Sequence, residues 1–281
     1  MKKEIYLKVV DHAVTKEPFE LLYDPELEML CTIPQPDDKD LVKYYESEDY
    51  ISHTDTKASA IDRVYQWVRS YTLKRKLKLI NSFQSKKKSI LDVGAGTGDF
   101  LTVCYADGWN VSGVEPNKGA RIISEKKLGF SIFSELTDVD KEQFDVITMW
   151  HVLEHVPDLN HTISELKKCL KANGRLVIAV PNHKSYDAEY YGSYWAAYDV
   201  PRHFWHFSQQ AIHSLCKNHG LEVETILPMK FDAYYVSLLS EKYKTGSMNP
   251  IRAFWRGFVS NQKAKRSSEY SSLIYIVKKS K

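Results

Sequence analysis

The glycine-rich stretch GAGTG, residues 94–98, is the feature that most constrains how this chain folds. The apolar run SILDV, which carries Asp92, stands directly before it, and Asp99 opens the amphipathic segment behind it. An apolar run, a glycine turn and an amphipathic segment in this order indicate a buried strand that leads into a helix. Because glycine permits tight turns and close approach of another group, the stretch predicts a ligand site at the end of that strand.

Short apolar runs alternate with amphipathic stretches from Ser89 onward. The predicted strands are SILDV, WNVSGVE, FSIFS, FDVITMW, RLVIAV, LEVETIL and SSLIYIV, and the predicted helices are DFLTVCYADG, NKGARIISEKKLG, LNHTISELKKCLKANG and SQQAIHSLCKNHG. Strands and helices that alternate at this spacing predict an α/β fold with a parallel sheet covered on both faces. No simple helical crossover joins the last two strands, so we expect them to pair antiparallel at one edge.

The length of 281 residues suits one large core with additions. Residues 1–88 form a predicted N-terminal cap, with a degenerate hairpin near FELLYDPELEMLCTI and a helix from Asp62 to Phe83. Residues 89–281 form the predicted main domain. Two amphipathic pieces between its last two strands predict inserted helices within residues 229–270.

Composition excludes several classes of protein. Lys and Arg number 39 against 36 Asp and Glu, and the basic clusters LKRKLK, SKKKS, KAKR and VKKSK are scattered. Such clusters are typical of solvated surfaces, so binding of nucleic acid is disfavoured. The four cysteines lie far apart without a CxxC pair, which fits neither a disulfide framework nor a cysteine zinc site. No stretch has the ~20 apolar residues of a membrane helix, and none resembles a signal peptide, so we expect a cytoplasmic protein without membrane partners.

Three kinds of ligand compete for the glycine turn. A phosphate-binding P-loop needs a lysine and a hydroxyl residue after the last glycine, where Asp99 and Phe100 stand. A dinucleotide fingerprint needs a small residue at Asp99, and an acid there repels a pyrophosphate. A cationic ligand without phosphate fits better, because Asp92 and Asp99 attract it and Glu115, at the end of the next predicted strand, can accept hydrogen bonds from ribose hydroxyls. S-adenosylmethionine has this character.

Four motifs in order carry a family resemblance: ILDVGAGTGDFL, VSGVEPN, FDVITMWHVLEHVPD and LKANGRLVIAVPN. Over residues 88–230 the chain resembles class I S-adenosylmethionine-dependent methyltransferases. The segment YDVPRHFWHFSQQAI looks like the subgroup that methylates small metabolites, sugars and quinone precursors. The resemblance implies a Rossmann-like, doubly wound, seven-stranded and mostly parallel sheet with an antiparallel last strand.

The resemblance also implies which residues bind the cofactor. Asp92 and the three glycines of the turn would border the methionine part, Glu115 the ribose, and residues 134–136 the adenine. Glu135 and Asp138 both remain open as partners of the adenine amine. The cofactor-binding residues implied in this way are Asp92, Gly94, Gly96, Gly98, Glu115, Pro116, Ser134, Glu135 and Trp150.

The motif HVLEH, from His151 to His155, also matches an inverted zinc-peptidase pattern. Zinc ligands of that pattern share one face of a continuous helix, whereas this motif follows a predicted strand directly and Pro157 comes soon after it. We therefore predict no metal site, and we expect Glu154 and His155 to stabilise a local turn.

The acceptor of the methyl group is expected to be a small molecule, a sugar or a metabolite intermediate. A hydroxyl acceptor benefits from a base of near-neutral pKa, so His151 and His203 are the candidate catalytic residues, with Asp199 as a partner that orients His203. We expect the acceptor pocket to be built by His151, the loop YWAAYDVPRHFWHF and the inserted segment FDAYYVSLLSEKY. The segment YYESEDYISHT, residues 44–54, is predicted to close over the cofactor as a lid.

Two other hypotheses remain open at this stage. A non-catalytic protein of the same fold would bind the cofactor without turnover, and a zinc peptidase would bind stoichiometric zinc. Methylation of nucleic acid is disfavoured because WHVLEHV replaces the Asn/Asp-Pro-Pro-aromatic signature of amino-group methylases. The sequence contains no signal for an oligomeric state.

Overall fold

The computed structural model describes residues 4–37, 40, 43–44, 60–83 and 88–280. Apart from Tyr44, the predicted lid segment at residues 44–54 lies outside these residues. Ten strands are described: β1 Glu4–Val10, β2 Pro18–Asp24, β3 Met29–Ile33, β4 Ser89–Val93, β5 Asn110–Val114, β6 Phe144–Trp150, β7 Leu170–Pro181, β8 Trp205–His206, β9 Leu221–Pro228 and β10 Ser272–Lys279. Eight α-helices are described: α1 Ala60–Asn81, α2 Asp99–Ala106, α3 Lys118–Leu128, α4 Leu159–Cys169, α5 Tyr186–Tyr191, α6 Gln209–Asn218, α7 Asp232–Thr245 and α8 Pro250–Ser267.

The central sheet has six strands in the order β5-β4-β6-β7-β10-β9. Strands β4, β5, β6 and β7 pair in parallel, and β10 lies antiparallel between β7 and β9. This confirms the α/β fold and the antiparallel last strand. The expected pairing of the last two strands is also present, with β9 at the edge.

The seventh strand expected at FSIFS does not form among the described residues. Phe133 makes only an isolated bridge with Val114, and a short 3-10 turn, Leu136–Asp138, follows almost at once. The amide of Phe133 donates to the carbonyl of Gly113 over 2.9 Å, and its own carbonyl accepts from Glu115 N over 3.0 Å. Two such bonds do not extend into a ladder because the chain turns away, so the expected count of seven strands is corrected to six.

Local sequence signals explain where the helices begin and end. The side chains of Asn117, Asp158, Ser185 and Ser208 each accept a bond from a backbone N–H in the first turn of the helix that follows. Helix α3 ends at Gly129 in the left-handed conformation, as predicted. The predicted helix LNHTISELKKCLKANG is too long, because α4 ends at Cys169 and β7 begins at the next residue.

The core lies on both faces of the central sheet. Every residue of β4 is buried, as expected for a central parallel strand. Helices α4 and α6 bury one side, with Ile163, Leu166 and Ile212 fully inaccessible. Helix α2 buries Leu101 and Cys104 in a second cluster of buried apolar residues, separate from the one that α4 and α6 cover. All four cysteines are buried, and none of them forms a disulfide bond within the described residues.

A second, four-stranded sheet has the order β1-β2-β3-β8. The predicted hairpin is present as β2 and β3, and the short strand β8 joins it from the aromatic loop that follows β7. The buried guanidinium of Arg202 bonds Asp11 in the cap, Asp199 in the loop and the backbone oxygen of Tyr44. The N-terminal sheet is therefore tied to the aromatic loop through buried ionic contacts.

Helices α7 and α8 lie between β9 and β10. Ser240 on α7 accepts from the amide of Ala196, and Tyr191 donates to Glu241 over 3.0 Å. These bonds hold α7 against the aromatic loop. Within the part of the chain that the structure describes, no helix combines the length and apolar character needed to span a bilayer.

Candidate functional site

The three glycines of the turn after β4 have different roles. All three have positive φ, at 74° for Gly94, 54° for Gly96 and 79° for Gly98. A Cβ at Gly94 would lie 2.3 Å from Val152, and one at Gly98 would lie 2.3 Å from Ser124 on α3. A Cβ at Gly96 would meet nothing within 4 Å. Gly94 and Gly98 therefore allow close packing of the protein, whereas Gly96 faces open space.

Glu115 is hydrogen-bonded to the glycine turn. Its carboxylate accepts from Gly96 N over 2.7 Å and from Asn117 N over 2.8 Å. The side chain is buried at the end of β5, beside the turn after β4. Each carboxylate oxygen has a further lone pair, so the group keeps the capacity to accept ribose hydroxyls that the sequence predicted.

A cavity of about 380 Å³, here called the glycine-turn cavity, opens beside this turn. Its lining residues come from α1, β4, the turn, α2 and the end of β6: Val68, Arg69, Thr72, Leu73, Lys76, Asp92, Gly94, Ala95, Gly96, Thr97, Asp99, Phe100 and Trp150. The structure thus brings four of the predicted cofactor residues together at the cavity: Asp92, Gly94, Gly96 and Trp150.

The other five predicted cofactor residues do not line the glycine-turn cavity. Gly98 packs against α3, and Glu115 lies behind the turn. Pro116 is exposed, and its carbonyl accepts a bond from Arg121. Ser134 and Glu135 are exposed just beyond the bridge that joins Phe133 to β5. Their roles in binding the cofactor stay predictions.

The two acids beside the turn have different electrostatic surroundings. Asp92 is buried and accepts from Thr148 over 2.6 Å, and its burial raises the pKa of this carboxyl to about 7. Asp99 binds Arg69 and, over 2.9 Å, Lys127. Burial alone would raise the pKa of Asp99, but Lys127 and Arg69 lower it overall. Asp99 is therefore neutralised by protein cations, whereas no described cation forms an ion pair with Asp92, on which, among cations, only the more distant charge of Lys76 acts.

A second cavity of about 690 Å³, here called the lysine cavity, lies next to the first. Its walls come from α1, the end of β9 and the loop that leads into α7, together with Trp150 and Ile274. Thr72, Lys76 and Trp150 line both cavities. The two cavities therefore adjoin at these three side chains.

Lys76 is the residue at this junction that sequence reasoning missed. Its ammonium lies 4.3 Å from the centre of the Trp150 ring and 5.9 Å from that of Phe100. Burial lowers the pKa of Lys76 to about 8, although Asp92 and Asp232 act in the opposite direction. The sequence shows it only as one of the lysines in LKRKLK, which were interpreted as solvated. Only the packing of α1 against the sheet shows that the side chain of Lys76 lies at the junction of the two cavities.

His151 does lie at the carboxyl end of β6, where the sequence predicted it, but both of its ring nitrogens are engaged. Nδ1 lies 3.1 Å from Glu154 Oε1, and Nε2 lies 3.0 Å from Asp232 Oδ2. Burial disfavours the charged ring, but the two carboxylates outweigh it and raise the pKa of His151 to about 10. The backbone is left-handed there, with φ of 57°. In this arrangement His151 is an imidazolium that binds α7, and it has no free nitrogen to accept a proton.

His203 lines neither cavity. It is buried, its Nδ1 bonds the backbone oxygen of Ala197 over 2.9 Å, and its ring packs edge-on against His155 at 4.5 Å. Asp199 is 4.0 Å from Nε2, but its carboxylate is mainly bound by Arg202. This position does not bring His203 to an acceptor in either cavity, so its role as a base stays a prediction without geometric support.

The HVLEH segment is not a continuous helix. It contains a 3-10 turn, Leu153–His155, as the sequence interpretation expected. His155 bonds the backbone oxygen of Arg202, and its burial together with nearby His203 lowers its pKa to about 4. Possible ligand atoms of Glu154, His155 and His203 lie within 4.8 Å of one another. Their arrangement differs from the two histidines on one helical face that the zinc-peptidase pattern requires.

The glycine-turn cavity has two features that suit S-adenosylmethionine, open space beside Gly96 and the carboxyl group of Asp92. Gly96 leaves room beside the backbone, and Asp92 supplies a carboxyl that forms no ion pair with a described cation, so both suit a ligand that carries a sulfonium and an ammonium. Glu115 is bonded to the same turn. The indole Nε1 of Trp150 is buried without a hydrogen-bond partner among the described residues, which leaves a donor at the junction.

Comparisons with known proteins agree with this geometry. The family model described as "Methyltransferase domain" matches residues 65–226. The chain is 30% identical over 123 residues to the ubiquinone biosynthesis O-methyltransferase of Hydrogenovibrio crunogenus, a match that covers 40% of this chain and 51% of that protein. It is 28% identical over 180 residues to the mitochondrial ubiquinone biosynthesis O-methyltransferase of Homo sapiens, covering 56% of this chain and 49% of that protein. The chain thus spans about half the length of these curated relatives.

Solved structures of low sequence identity share the fold. A magnesium protoporphyrin IX methyltransferase from Synechocystis superposes with a TM-score of 0.56 at 12% identity, covering 86% of this chain and 100% of that chain. A geranyl diphosphate C-methyltransferase from Streptomyces coelicolor superposes with a TM-score of 0.54 at 15% identity, covering 80% of this chain and 86% of that chain. The family match and the cavity together indicate S-adenosylmethionine as the cofactor.

Proposed function

Since the chain belongs to the methyltransferase-domain family, we propose that it transfers a methyl group from S-adenosylmethionine to a small-molecule acceptor. The observation that carries this proposal is the junction at Thr72, Lys76 and Trp150, where the glycine-turn cavity and the lysine cavity meet. Methyl transfer needs an acceptor atom held close to the methyl carbon, and two adjoining cavities provide that proximity.

The residues of the glycine turn, together with Asp92 and Glu115, would hold the cofactor. S-adenosylmethionine supplies an electrophilic methyl group. Trp150 forms an aromatic wall at the junction and limits the access of water to it. Asp92, whose pKa is about 7, balances positive charge in the cavity when it is ionised.

Lys76 replaces the histidines as the candidate base. Its pKa of about 8 leaves part of the amine neutral near pH 7.5, and its side chain lines both cavities. When a hydroxyl acceptor gives up its proton, Lys76 Nζ accepts it and later releases it to water. His151 acts instead as a positioning residue, because its bond to Asp232 holds α7 beside the lysine cavity.

The acceptor class that we propose is a sugar or a metabolite intermediate with a hydroxyl. The curated relatives are named for ubiquinone biosynthesis, so a phenolic hydroxyl belongs to the same class of candidates. The four cysteines are buried and are not joined in disulfide bonds among the described residues, which fits a reducing compartment, and we propose the cytoplasm.

Calorimetry with S-adenosylmethionine and S-adenosylhomocysteine tests the first half of this proposal, and transfer of a labelled methyl group to a metabolite pool tests the second. We expect binding with one cofactor per chain and incorporation of label into a small molecule. Binding without incorporation across acceptor pools would favour the non-catalytic alternative. Absence of cofactor binding would contradict the proposal.

A further inference from the structure

The lysine cavity has an unusual concentration of cations. Five of its sixteen lining residues are cationic, and four of these belong to the LKRKLK run on α1, which the sequence analysis interpreted as solvated surface. The fifth, Lys230, comes from the loop between β9 and α7 and contributes to another wall. Two segments that are distant in sequence therefore place positive charge around one space.

Within the described part of the chain, no acid forms an ion pair with four of these five cations. Among the described residues, Lys74, Arg75, Lys78 and Lys230 have no carboxylate within ion-pair distance. Asp232 is the acid among the lining residues, and its carboxylate bonds the charged ring of His151. The described lining residues thus carry a net positive charge, and cations gathered in a concave site attract an anionic ligand.

We propose that the acceptor is an acidic small molecule, whose phosphate or carboxylate group is held in the lysine cavity by Lys74, Arg75, Lys78 and Lys230. This inference rests on the proposed function, because it assigns the lysine cavity to the methyl acceptor. Lys76 is separate from the four, because it lines the glycine-turn cavity as well. The acidic group of the acceptor lies against the four cations, and the hydroxyl that receives the methyl group lies at Lys76.

The other lining residues of the lysine cavity indicate what the rest of the acceptor molecule, here called its body, is like. Tyr71, Trp150, Met229 and Phe231 line the same space as the cations. Their rings and the thioether suit a planar or apolar body. An acid attached to such a body can contact the cations and the apolar side chains at the same time, whereas a neutral sugar leaves the cations without partners.

Other basic clusters of the chain provide a contrast. Lys265 on α8 and Lys126 on α3 are exposed, as Lys74 and Lys230 also are. Neither residue lines the lysine cavity. They serve as matched controls, because their removal changes the net charge of the chain equally without changing the cavity.

The test uses the full chain saturated with S-adenosylhomocysteine and three probes of similar size: phenyl phosphate, benzoate and neutral benzyl alcohol. Binding is measured by calorimetry at two salt concentrations. We expect an acidic probe to bind at least about tenfold more tightly than benzyl alcohol, and the Lys74→Gln/Lys230→Gln double variant to lose about tenfold in affinity for it. The Lys126→Gln/Lys265→Gln variant should bind as the unmodified chain does. The order of phenyl phosphate and benzoate distinguishes a phosphorylated acceptor from a carboxylated one.

Several outcomes would overturn the inference. Equal binding of benzyl alcohol and the acidic probes, absence of binding by all three, or equal losses in the two double variants each contradict an acidic acceptor. Preferential binding of a single-stranded oligonucleotide that the Lys74→Gln/Lys230→Gln variant abolishes would assign the cavity to nucleic acid instead. S-adenosylhomocysteine binding is measured in parallel, so its failure marks the proposed function as wrong, whereas its success with failed probes rejects only the acidic acceptor.

Discussion

Asp232 Oδ2 lies 3.0 Å from His151 Nε2 and joins the first turn of the inserted helix α7 to the turn after β6. The other ring nitrogen of His151 meets Glu154, which is almost completely buried. A cation between two carboxylates favours the charged ring, and the charged ring in turn holds the insertion against the sheet. The residue that the sequence offered as a base therefore acts as a link between two parts of the fold.

This link predicts a dependence of stability on pH. Because the pKa of His151 is raised from 6.5 to about 10 in the folded state, its contribution is fully present below pH 6.5 and is lost as the pH rises toward 10. We expect Asp232→Asn to reduce the free energy of unfolding by about 1 kcal/mol at pH 6, a modest value because a third of the ring is exposed to solvent. The difference from the unmodified chain should shrink by pH 10 in urea unfolding. The prediction would be contradicted if Asp232→Asn reduced the free energy of unfolding equally at both pH values, or if the exposed control Asp140→Asn reduced it to a similar extent.

Substitution of Gly96 should mainly weaken cofactor binding, whereas substitution of Gly98 should mainly destabilise the fold. Gly96→Ala has open space around the new methyl group, so it should cost only about 1–2 kcal/mol of stability through its positive φ. The methyl group would, however, project into the glycine-turn cavity and weaken cofactor binding. Gly98→Ala meets Ser124 on α3 and should destabilise the fold more. Urea unfolding without ligand measures the effect on stability, and calorimetry with S-adenosylhomocysteine measures the effect on cofactor affinity. A Gly96→Ala variant that loses stability but keeps its affinity would refute the placement of Gly96 at the cofactor site.

Glu115 accepts hydrogen bonds from the backbone in addition to making the predicted ribose contact. Glu115→Ala leaves the partly buried N–H group of Gly96 and the N–H group of exposed Asn117 without their acceptor, and because water can reach both groups the loss of stability should be about 1 kcal/mol. Cofactor affinity should fall by about 1.5–3 kcal/mol as the charged acceptor is lost. Both quantities are measurable on the same variant by unfolding and calorimetry. The exposed Glu189→Ala is the control, and a stability loss with unchanged affinity would remove Glu115 from the cofactor site.

Lys76 should show the chemistry of an amine with a lowered pKa. At pH 8 a pKa of about 8 leaves half of the amine neutral, so trace acetylation should modify Lys76 faster than the exposed Lys126. S-adenosylhomocysteine should slow this modification, since Lys76 lines the glycine-turn cavity. Once an acceptor is identified, Lys76→Met should lower turnover by about 100-fold and abolish the rise in rate between pH 7 and 9. Peptide mass spectrometry that finds Lys76 no more reactive than Lys126 would argue against its role as base.

The sequence by itself determined the features that depend on near neighbours. Strands β4 and β6 and the glycine turn follow from apolar runs and from the backbone freedom of glycine, which are properties of a few consecutive residues. The end of α3 at Gly129 is of the same kind. The family resemblance added the carboxyl edge of the sheet as the place of the cofactor, and Gly96 and Asp92 do lie at a cavity there.

Only the tertiary structure decided which side chains meet. Asp232 pairs with His151 across 81 positions of sequence, and that contact converts a candidate base into a fixed cation. The LKRKLK run has the composition of a solvated surface, yet the packing of α1 makes it a wall of the lysine cavity. Charge and burial are fixed by the distances between groups, and those distances arise from the packing of remote segments. Local patterns therefore identified the glycine turn, whereas the protonation state of His151 and the candidate base Lys76 depended on the folded arrangement.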